Sequence, residues 1–374
     1  MKNAHAPGAP VGIAQIVHSL EIGGMERVAM YLATRVDRAR FRPMVVCLTV
    51  RGDFADEIES RGVEVVALGK RPGVDLRLPF RLARLLGERN VRIVHAHNSG
   101  PWFTGGLAKI VGGLDGAVVT DHSRPYPEKW TVRCVERTLA HAVHVVSVSE
   151  DNRQLLHRNI GIPLGKIRVI PNGVEAPSPP SPDRLAELRR EFGIDGRDVI
   201  GVCVARLETQ KAHEVLIDAV RRLADRGVPL RALCVGMGSR EDELRSLAAQ
   251  KGVADRVTFV GKRIDATDFL FLADLFVLSS DWEGLPMSVL EALGVGLPVV
   301  GTRVGDMELA VKDSVNGYLC APRDAVALAD ALANLARDAD RRRAMGGAGR
   351  ELFAREFHVD RMIERYAAIY EECL

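Results

Sequence analysis

Short apolar runs alternate with helix-patterned stretches along almost the whole chain, and this alternation restricts the fold more than any other feature. The first series runs IAQIVHSL then MERVAMYLATRV, PMVVCLTV then FADEIESRG, VEVVAL then LPFRLARLLGERN, and RIVHAH then a Gly-rich helix around Phe103 to Val111. AVVTDHS, a helix from about Thr131 to Ala140, and VHVVSVS complete it. Strand, helix and strand in repeated order predict right-handed β-α-β units and a parallel sheet. At PNGVEAPSPPSPDRL the pattern stops, with five prolines between Pro171 and Pro182, marking an interdomain boundary. It resumes with VIGVCVARL and a helix at His213 to Arg226, RALCVGMG and a helix at Asp242 to Lys251, VTFVG, and a short helical segment near Ile264 to Leu272. LFVLSS with its helix, PVVGT, YLCAP, a helix at Ala325 to Ala339 and an amphipathic stretch at Asp360 to Tyr370 follow. The expected fold is α/β, with two doubly wound Rossmann-like domains facing across a cleft. Ligands should bind outside the carboxyl ends of their strands.

The chain has 374 residues, enough for two domains, and its 47% hydrophobic and 27% charged content is that of a globular protein. The six cysteines include no C-x-x-C pair and several lie inside strand-like runs, so they read as reduced core residues of a cytoplasmic chain. The start, MKNAHAPGAP, reads as a polar tail leading into a strand, not a signal peptide or membrane span. The net charge of +2 hides an asymmetry: Met1 to Glu175 carries 24 Lys+Arg against 17 Asp+Glu, whereas the remainder has an acidic excess. No basic run is interleaved with aromatics in the way that stacks bases, so nucleic acid is not an expected partner.

Four strand ends carry candidate chemistry. In SSDWEGLPMSVLEAL an apolar strand meets a helix through a turn, with Pro286 suited to the first helical turn. The N–H groups opening that helix favour an anion, and a phosphate is the natural guest. Glu283 precedes the helix and Glu291 lies within it, flanking the anion position at different depths. In VARLETQKAH, Arg206 and Lys211 follow a strand and suit a diphosphate. EIGGMER places Gly23 and Gly24 after the opening strand, a pair that fits a tight turn as well as a ligand loop. His95 and His97 share a strand face in RIVHAHNS and His122 follows AVVTD; each fits a hydrogen-bonded structural histidine as well as a site residue. No carboxylate spacing accompanies them to make a metal site. GMGSRE has Glu241 at the third glycine position of a dinucleotide turn, which disfavours a Rossmann dehydrogenase.

Together these residues resemble retaining glycosyltransferases of the GT-B fold, specifically glycosyltransferase family 4, over nearly the whole length. The E-x7-E motif EGLPMSVLE from Glu283 to Glu291 carries the resemblance, supported by VARLETQK, FVGKR, PNGV, GTRVG and GGMER. It implies a first, acceptor-side domain over residues 10–175, a nucleotide-sugar domain over 176–355, and a final helix over 356–374 returning to the first. Arg206 and Lys211 would bind the donor diphosphate, Glu291 the ribose and Glu283 the transferred hexose. Backbone groups from Gly284 through Leu285, Pro286, Met287 and Ser288 would face phosphate and sugar, and Val260 to Arg263 would line the base pocket. Gly23, Gly24 and His122 would complete the site from the first domain, with His97 and His122 on the acceptor side and Glu283, His122, Arg206 and Lys211 as the catalytic set. Two departures stand out: Ala212 replaces the usual glycine after VARLETQK, and Asp306 replaces the second glycine of GTxVGG and would put an acid near the donor sugar.

The resemblance implies transfer of a hexose from a UDP- or GDP-sugar to a hydroxyl acceptor, a glycan or lipid-linked precursor of envelope or exopolysaccharide, with no metal and no cofactor beyond the co-substrate. Its rivals are a sugar-nucleotide epimerase or phosphorylase on the same fold, and a non-catalytic nucleotide-sugar-binding partner protein. The basic first half adds one expectation. LRLPFRLARLLGERNVR and HSRPYPEKWTVR set Arg77, Arg81, Arg84, Arg89, Arg92, Arg124, Lys129 and Arg133 beside leucines and Trp130, suiting peripheral contact with an anionic inner leaflet as well as an ordinary sheet-covering helix.

Overall fold

A computed structural model describes residues 9–71, 73, 75–122 and 130–374. The chain divides into two compact units, residues 1–173 with 359–374, and residues 174–358. In the first unit seven strands run in chain order: β1 (Val11–Val17), β2 (Phe41–Cys47), β3 (Glu64–Ala67), β4 (Val91–His97), β5 (Gly116–Asp121), β6 (His144–Ser147) and β7 (Ile167–Val169). They form one sheet in the order β3-β2-β1-β4-β5-β6-β7, with every pairing parallel. β1, β4 and β5 are almost wholly buried, as strands covered on both faces must be, which explains their continuous apolar spelling.

The second unit repeats the design with β8 (Val199–Val204), β9 (Leu230–Val235), β10 (Val257–Gly261), β11 (Leu275–Leu278), β12 (Val299–Thr302) and β13 (Gly317–Cys320). The order β10-β9-β8-β11-β12-β13, again all parallel, reverses direction between β8 and β11, as the first sheet does between β1 and β4. At such a switch point the connections leave to opposite faces and a crevice opens beyond the strand ends.

The helical pattern near Ile264 to Leu272 is a 3-10 segment, Ala266–Phe271, and the helix expected at Ala325 to Ala339 stops at Arg337. A further helix, Ala339–Leu352, goes unread in the sequence because MGGAGR breaks its apolar pattern. Its glycines serve close packing: a Cβ on Gly346 would lie 2.0 Å from the Gly296 carbonyl oxygen, and one on Gly349 would lie 2.9 Å from Leu293. Asp338 caps that helix by accepting from the Arg341 N–H at 2.8 Å. The Pro-rich boundary hides another helix, Pro182–Glu191, which opens with Pro182 and is capped by Ser181.

The last helix, Val359–Glu372, belongs to the first unit. It buries Met362, Ile363, Tyr366, Ile369 and Tyr370, and Arg168 grips Glu372 through two hydrogen bonds of 2.7 and 2.5 Å.

Candidate functional site

The four second-unit residues singled out from sequence converge on the β8/β11 switch point. β8 ends at Val204 and delivers Arg206, which is exposed and whose carbonyl accepts the Glu208 N–H at 2.9 Å. A 3-10 turn, Thr209–Lys211, then presents Lys211 and hands over to the helix His213–Asp225 through Ala212 at φ 45°, ψ 46°. That left-handed conformation favours glycine, so an alanine there is strained. From β11 the chain passes Ser279 and Ser280 to Glu283, then enters the helix Met287–Val295, which carries Glu291.

Hydrogen bonds stitch the two loops together. Ser279 Oγ donates to the Ala212 carbonyl at 3.0 Å, the Asp281 N–H to the Gln210 carbonyl at 2.9 Å, and the Gln210 amide to the Trp282 carbonyl at 2.8 Å. Lys211 Nζ is ion-paired with Glu283, whose Oε1 also accepts from Ser280 Oγ at 2.6 Å. Both charged side chains are largely withdrawn from water, at 14% and 7% exposure, so their mutual neutralisation is strong. No side chain caps the helix at Pro286, whose φ of −67° suits the turn, so the first-turn N–H groups of Met287 and Ser288 remain available to an anion. Leu285 is buried beneath this turn and Glu291 is 7% exposed.

The GTRVG segment supports the turn from below. Gly305 adopts φ 51°, and a Cβ there would lie 2.2 Å from the Glu283 carbonyl oxygen and 2.7 Å from that of Gly284. The Asp306 N–H donates to the Gly284 carbonyl at 3.1 Å, while the Asp306 side chain is buried in the fold. GMGSRE has a comparable role. Gly236 and Gly238 admit the Ala205 and Leu207 carbonyls to within 2.0 and 2.3 Å of where a Cβ would stand, so these glycines position the Arg206 loop. Of the expected base-pocket segment, Val260 is half-buried, but the Arg263 guanidinium pairs with Asp265 at 2.9 Å and Glu191 at 3.3 Å and covers the Phe269 ring. That pairing holds the Asp265 carboxyl well below the usual carboxylate range.

Sequence reasoning missed a charged chain behind the site. Arg240 and Arg323 both bind Glu214, at 2.8 and 2.5 Å, and Arg323 also pairs with Asp281. Only the acid at the start of the helix after Lys211 hinted at it.

In the first unit, register places Gln15 opposite His95, and His97 opposite Thr120. His97 Nδ1 lies 2.9 Å from His122 Nε2, and His97 Nε2 lies 2.9 Å from Gln15 Oε1. Gln15 Nε2 donates to Tyr370 at 3.1 Å; His95 joins Tyr370 Oη at 2.7 Å to Thr120 Oγ1 at 2.8 Å. Burial pushes His95 and His97 well below the ordinary histidine value and His122 to about 3, so all three are neutral. Asn98, another residue the sequence did not flag, takes φ 64° and accepts the His122 N–H at 2.8 Å. Gly23 sits in extended backbone at the head of the helix Gly24–Arg35, and a Cβ on it would meet the Glu26 carboxylate at 2.2 Å.

Two parallel doubly wound units with charged groups at a switch point are the architecture expected of a GT-B glycosyltransferase, and the comparisons with known proteins agree. The model for "Glycosyltransferase Family 4" matches residues 22–176 and that for "Glycosyl transferases group 1" matches residues 186–352. A GDP-mannose-dependent alpha-(1-6)-phosphatidylinositol monomannoside mannosyltransferase of Mycobacterium tuberculosis is 30% identical over 84% of this chain and 85% of its own. An N-acetyl-alpha-D-glucosaminyl L-malate synthase of Bacillus anthracis is 26% identical over 81% and 80%. Among solved structures, a glycosyltransferase from Rickettsia africae superimposes with TM-score 0.88 at 20% identity over 97% of this chain and 98% of that one. Anabaena HepE in complex with UDP-glucose gives 0.82 at 22% identity over 96% and 99%. The chain belongs to glycosyltransferase family 4. It is an enzyme that transfers sugar from a nucleotide donor with retention of configuration.

Proposed function

We propose that the second unit binds a UDP- or GDP-hexose and that the first carries the acceptor, a glycan or lipid-linked hydroxyl compound of envelope or exopolysaccharide synthesis. The observation that supports this most is the meeting of Arg206, Lys211, Glu283 and the first turn of Met287–Val295 at one switch point. As the bond from the anomeric carbon to the diphosphate breaks, its electron pair passes to the leaving phosphate. Arg206, Lys211 and the Met287 and Ser288 N–H groups stabilise that charge. The acceptor oxygen forms the new bond on the same face, and its proton passes to an oxygen of the leaving phosphate. Glu283 orients the hexose and Glu291 the ribose.

The cations and the helix N-terminus neutralise the diphosphate, so activity is expected to survive excess chelator. Nucleotide sugars screened for slow hydrolysis, with and without EDTA, test donor and metal together without any acceptor. Activity lost to EDTA and restored by magnesium would reverse the metal-free reading.

On the acceptor side, a cavity of about 410 Å³ in the first unit is lined by Lys70, Leu78, Phe103, Thr131, Val135 and Glu136. Leu76, Phe80 and Trp130 are exposed at 69%, 60% and 72%, which favours a lipid-linked acceptor and peripheral attachment to an anionic inner leaflet. The basic residues contribute less than their number suggests, since Arg84, Arg89 and Arg92 pair with Glu88, Glu64 and Asp115. Leu78, Leu82 and Leu86 cover the sheet, and Arg124 and Lys129 lie outside the described residues. No described helix is long and apolar enough to cross a membrane. Sedimentation with acidic vesicles, at low and high salt, tests the attachment; a protein left in the supernatant at low salt points to a soluble acceptor.

A further inference from the structure

The polar chain through Gln15, His97 and His122 has a direction, and the direction fixes what His122 can do. A neutral imidazole has one N–H and one bare nitrogen, so each hydrogen bond dictates the next. Gln15 Oε1 can only accept; the 2.9 Å contact therefore puts the hydrogen of His97 on Nε2 and leaves its Nδ1 bare. The partner at that Nδ1, 2.9 Å away, is His122 Nε2, which must then be the donor. His122 Nδ1 is left with a lone pair. That atom is buried and meets no hydrogen-bond partner among the described residues.

The other end of Gln15 agrees. Its Nε2 donates to Tyr370 Oη, whose hydrogen goes to His95 Nδ1 at 2.7 Å; His95 Nε2–H then donates to Thr120 Oγ1, itself 2.9 Å from Tyr366 Oη. Turning the Gln15 amide over would reverse every donor and place a hydrogen on His122 Nδ1. A buried N–H without an acceptor costs more than an unfilled lone pair. The spare hydroxyl hydrogen at the Thr120–Tyr366 end can rotate toward other oxygens, whereas an imidazole N–H cannot.

We propose that Gln15 is a positioning residue: through His97 it holds His122 as the neutral Nε2–H tautomer with Nδ1 open, so that His122 receives a hydrogen bond from a substrate sugar hydroxyl and does not deliver a proton. This rests on the reading of His122 as a substrate contact. Burial excludes the imidazolium that an acid role would need, in keeping with its lowered basicity. A buried lone pair that no donor among the described residues fills is the complement of a hydroxyl, which also requires an acceptor when it leaves water.

Long-range proton–nitrogen correlation on the ¹⁵N-histidine-labelled full-length protein reads the tautomers directly and needs no substrate. His97 and His122 are expected as Nε2–H forms, unchanged between about pH 6 and 8. An Nδ1–H signal for His122, or its titration in that range, overturns the proposal. In Gln15→Leu, His122 is expected to become a mixture of tautomers and transfer to fall about tenfold, while the dissociation constant of the nucleoside diphosphate stays unchanged. Undiminished transfer in a folded Gln15→Leu protein overturns the positioning role. Should that variant fail to fold, the wild-type spectrum still decides the polarity. A wild-type protein that hydrolyses and transfers no nucleotide sugar would instead refute the functional reading and leave the tautomer result standing.

Discussion

Lys211 and Glu283 are ion-paired with each other, whereas the proposed function gives the cation to a donor diphosphate and the carboxylate to a donor hexose. On that proposal, donor binding has to separate the pair. Replacing Glu283 with Gln keeps the shape and an oxygen for Ser280 but releases Lys211. The expected result in calorimetric titration is unchanged or tighter binding of the nucleoside diphosphate, while transfer falls at least about tenfold, the loss of a charge-assisted hydrogen bond. Weaker nucleotide binding by this variant would sink the assignment. The three neutral histidines make a second residue-scale prediction. Their folded affinity for protons lies below the unfolded value of 6.5, so below that pH the unfolded chain binds more protons and stability falls. The loss begins as pH drops through about 6.5 and, for His122, continues toward about 3. Each histidine contributes a slope of up to about 1.4 kcal/mol per pH unit. Denaturant midpoints at neutral and mildly acidic pH check this, and a flat first-unit response between them would contradict it.

The turn from β11 into Met287–Val295 is made by backbone approach as much as by its own sequence. Gly305 sits where any Cβ would strike the Glu283 and Gly284 carbonyls, and its positive φ adds strain for an L-residue. Gly305→Ala is expected to displace Glu283 and lower transfer at least about tenfold, with about 1–3 kcal/mol lost in stability. Normal turnover and an unaltered melting temperature would show that the segment is more pliable than its contacts imply. The same element shows what a sequence discloses. The alternation of apolar and helical patterns fixes element order, so Arg206, Lys211, Glu283 and Glu291 could be placed at strand ends without coordinates. Gln15 and Asn98 could not, because their roles arise from register across strands distant in sequence. Local reading set GMGSRE aside as a dinucleotide turn but gave Gly236 and Gly238 no other role, although they give room to the carbonyls around Arg206. The Lys211–Glu283 contact was likewise invisible, since both residues were assigned to a ligand and not to each other.

At the scale of the molecule the chain returns: after His358 it re-enters the unit with which it began. The returning helix is not a loose tail. It buries Val359, Met362, Ile363, Tyr366, Ala367, Ile369 and Tyr370, carries the hydroxyls that meet His95, Gln15 and Thr120, and is pinned by Arg168 to Glu372 and Arg35 to Asp360. Burying an aliphatic or aromatic side chain contributes about 1.5–3 kcal/mol, so six of the seven side chains together rival the whole stability of a domain, about 5–15 kcal/mol. Removing the helix also strips partners from Gln15, His95 and Thr120 in a sheet interior that water does not reach. A chain ending at His358 is therefore expected to lose the cooperative melting of the first unit while the second, whose core lies within residues 174–358, keeps its own transition and its affinity for a nucleoside diphosphate. Scanning calorimetry with and without nucleotide separates the two: the ligand should raise the surviving transition only. Two intact transitions in the truncated chain would show that the helix merely rests on a sheet that can stand without it. Nucleotide binding lost together with the first transition would place part of the donor site in the wrong unit.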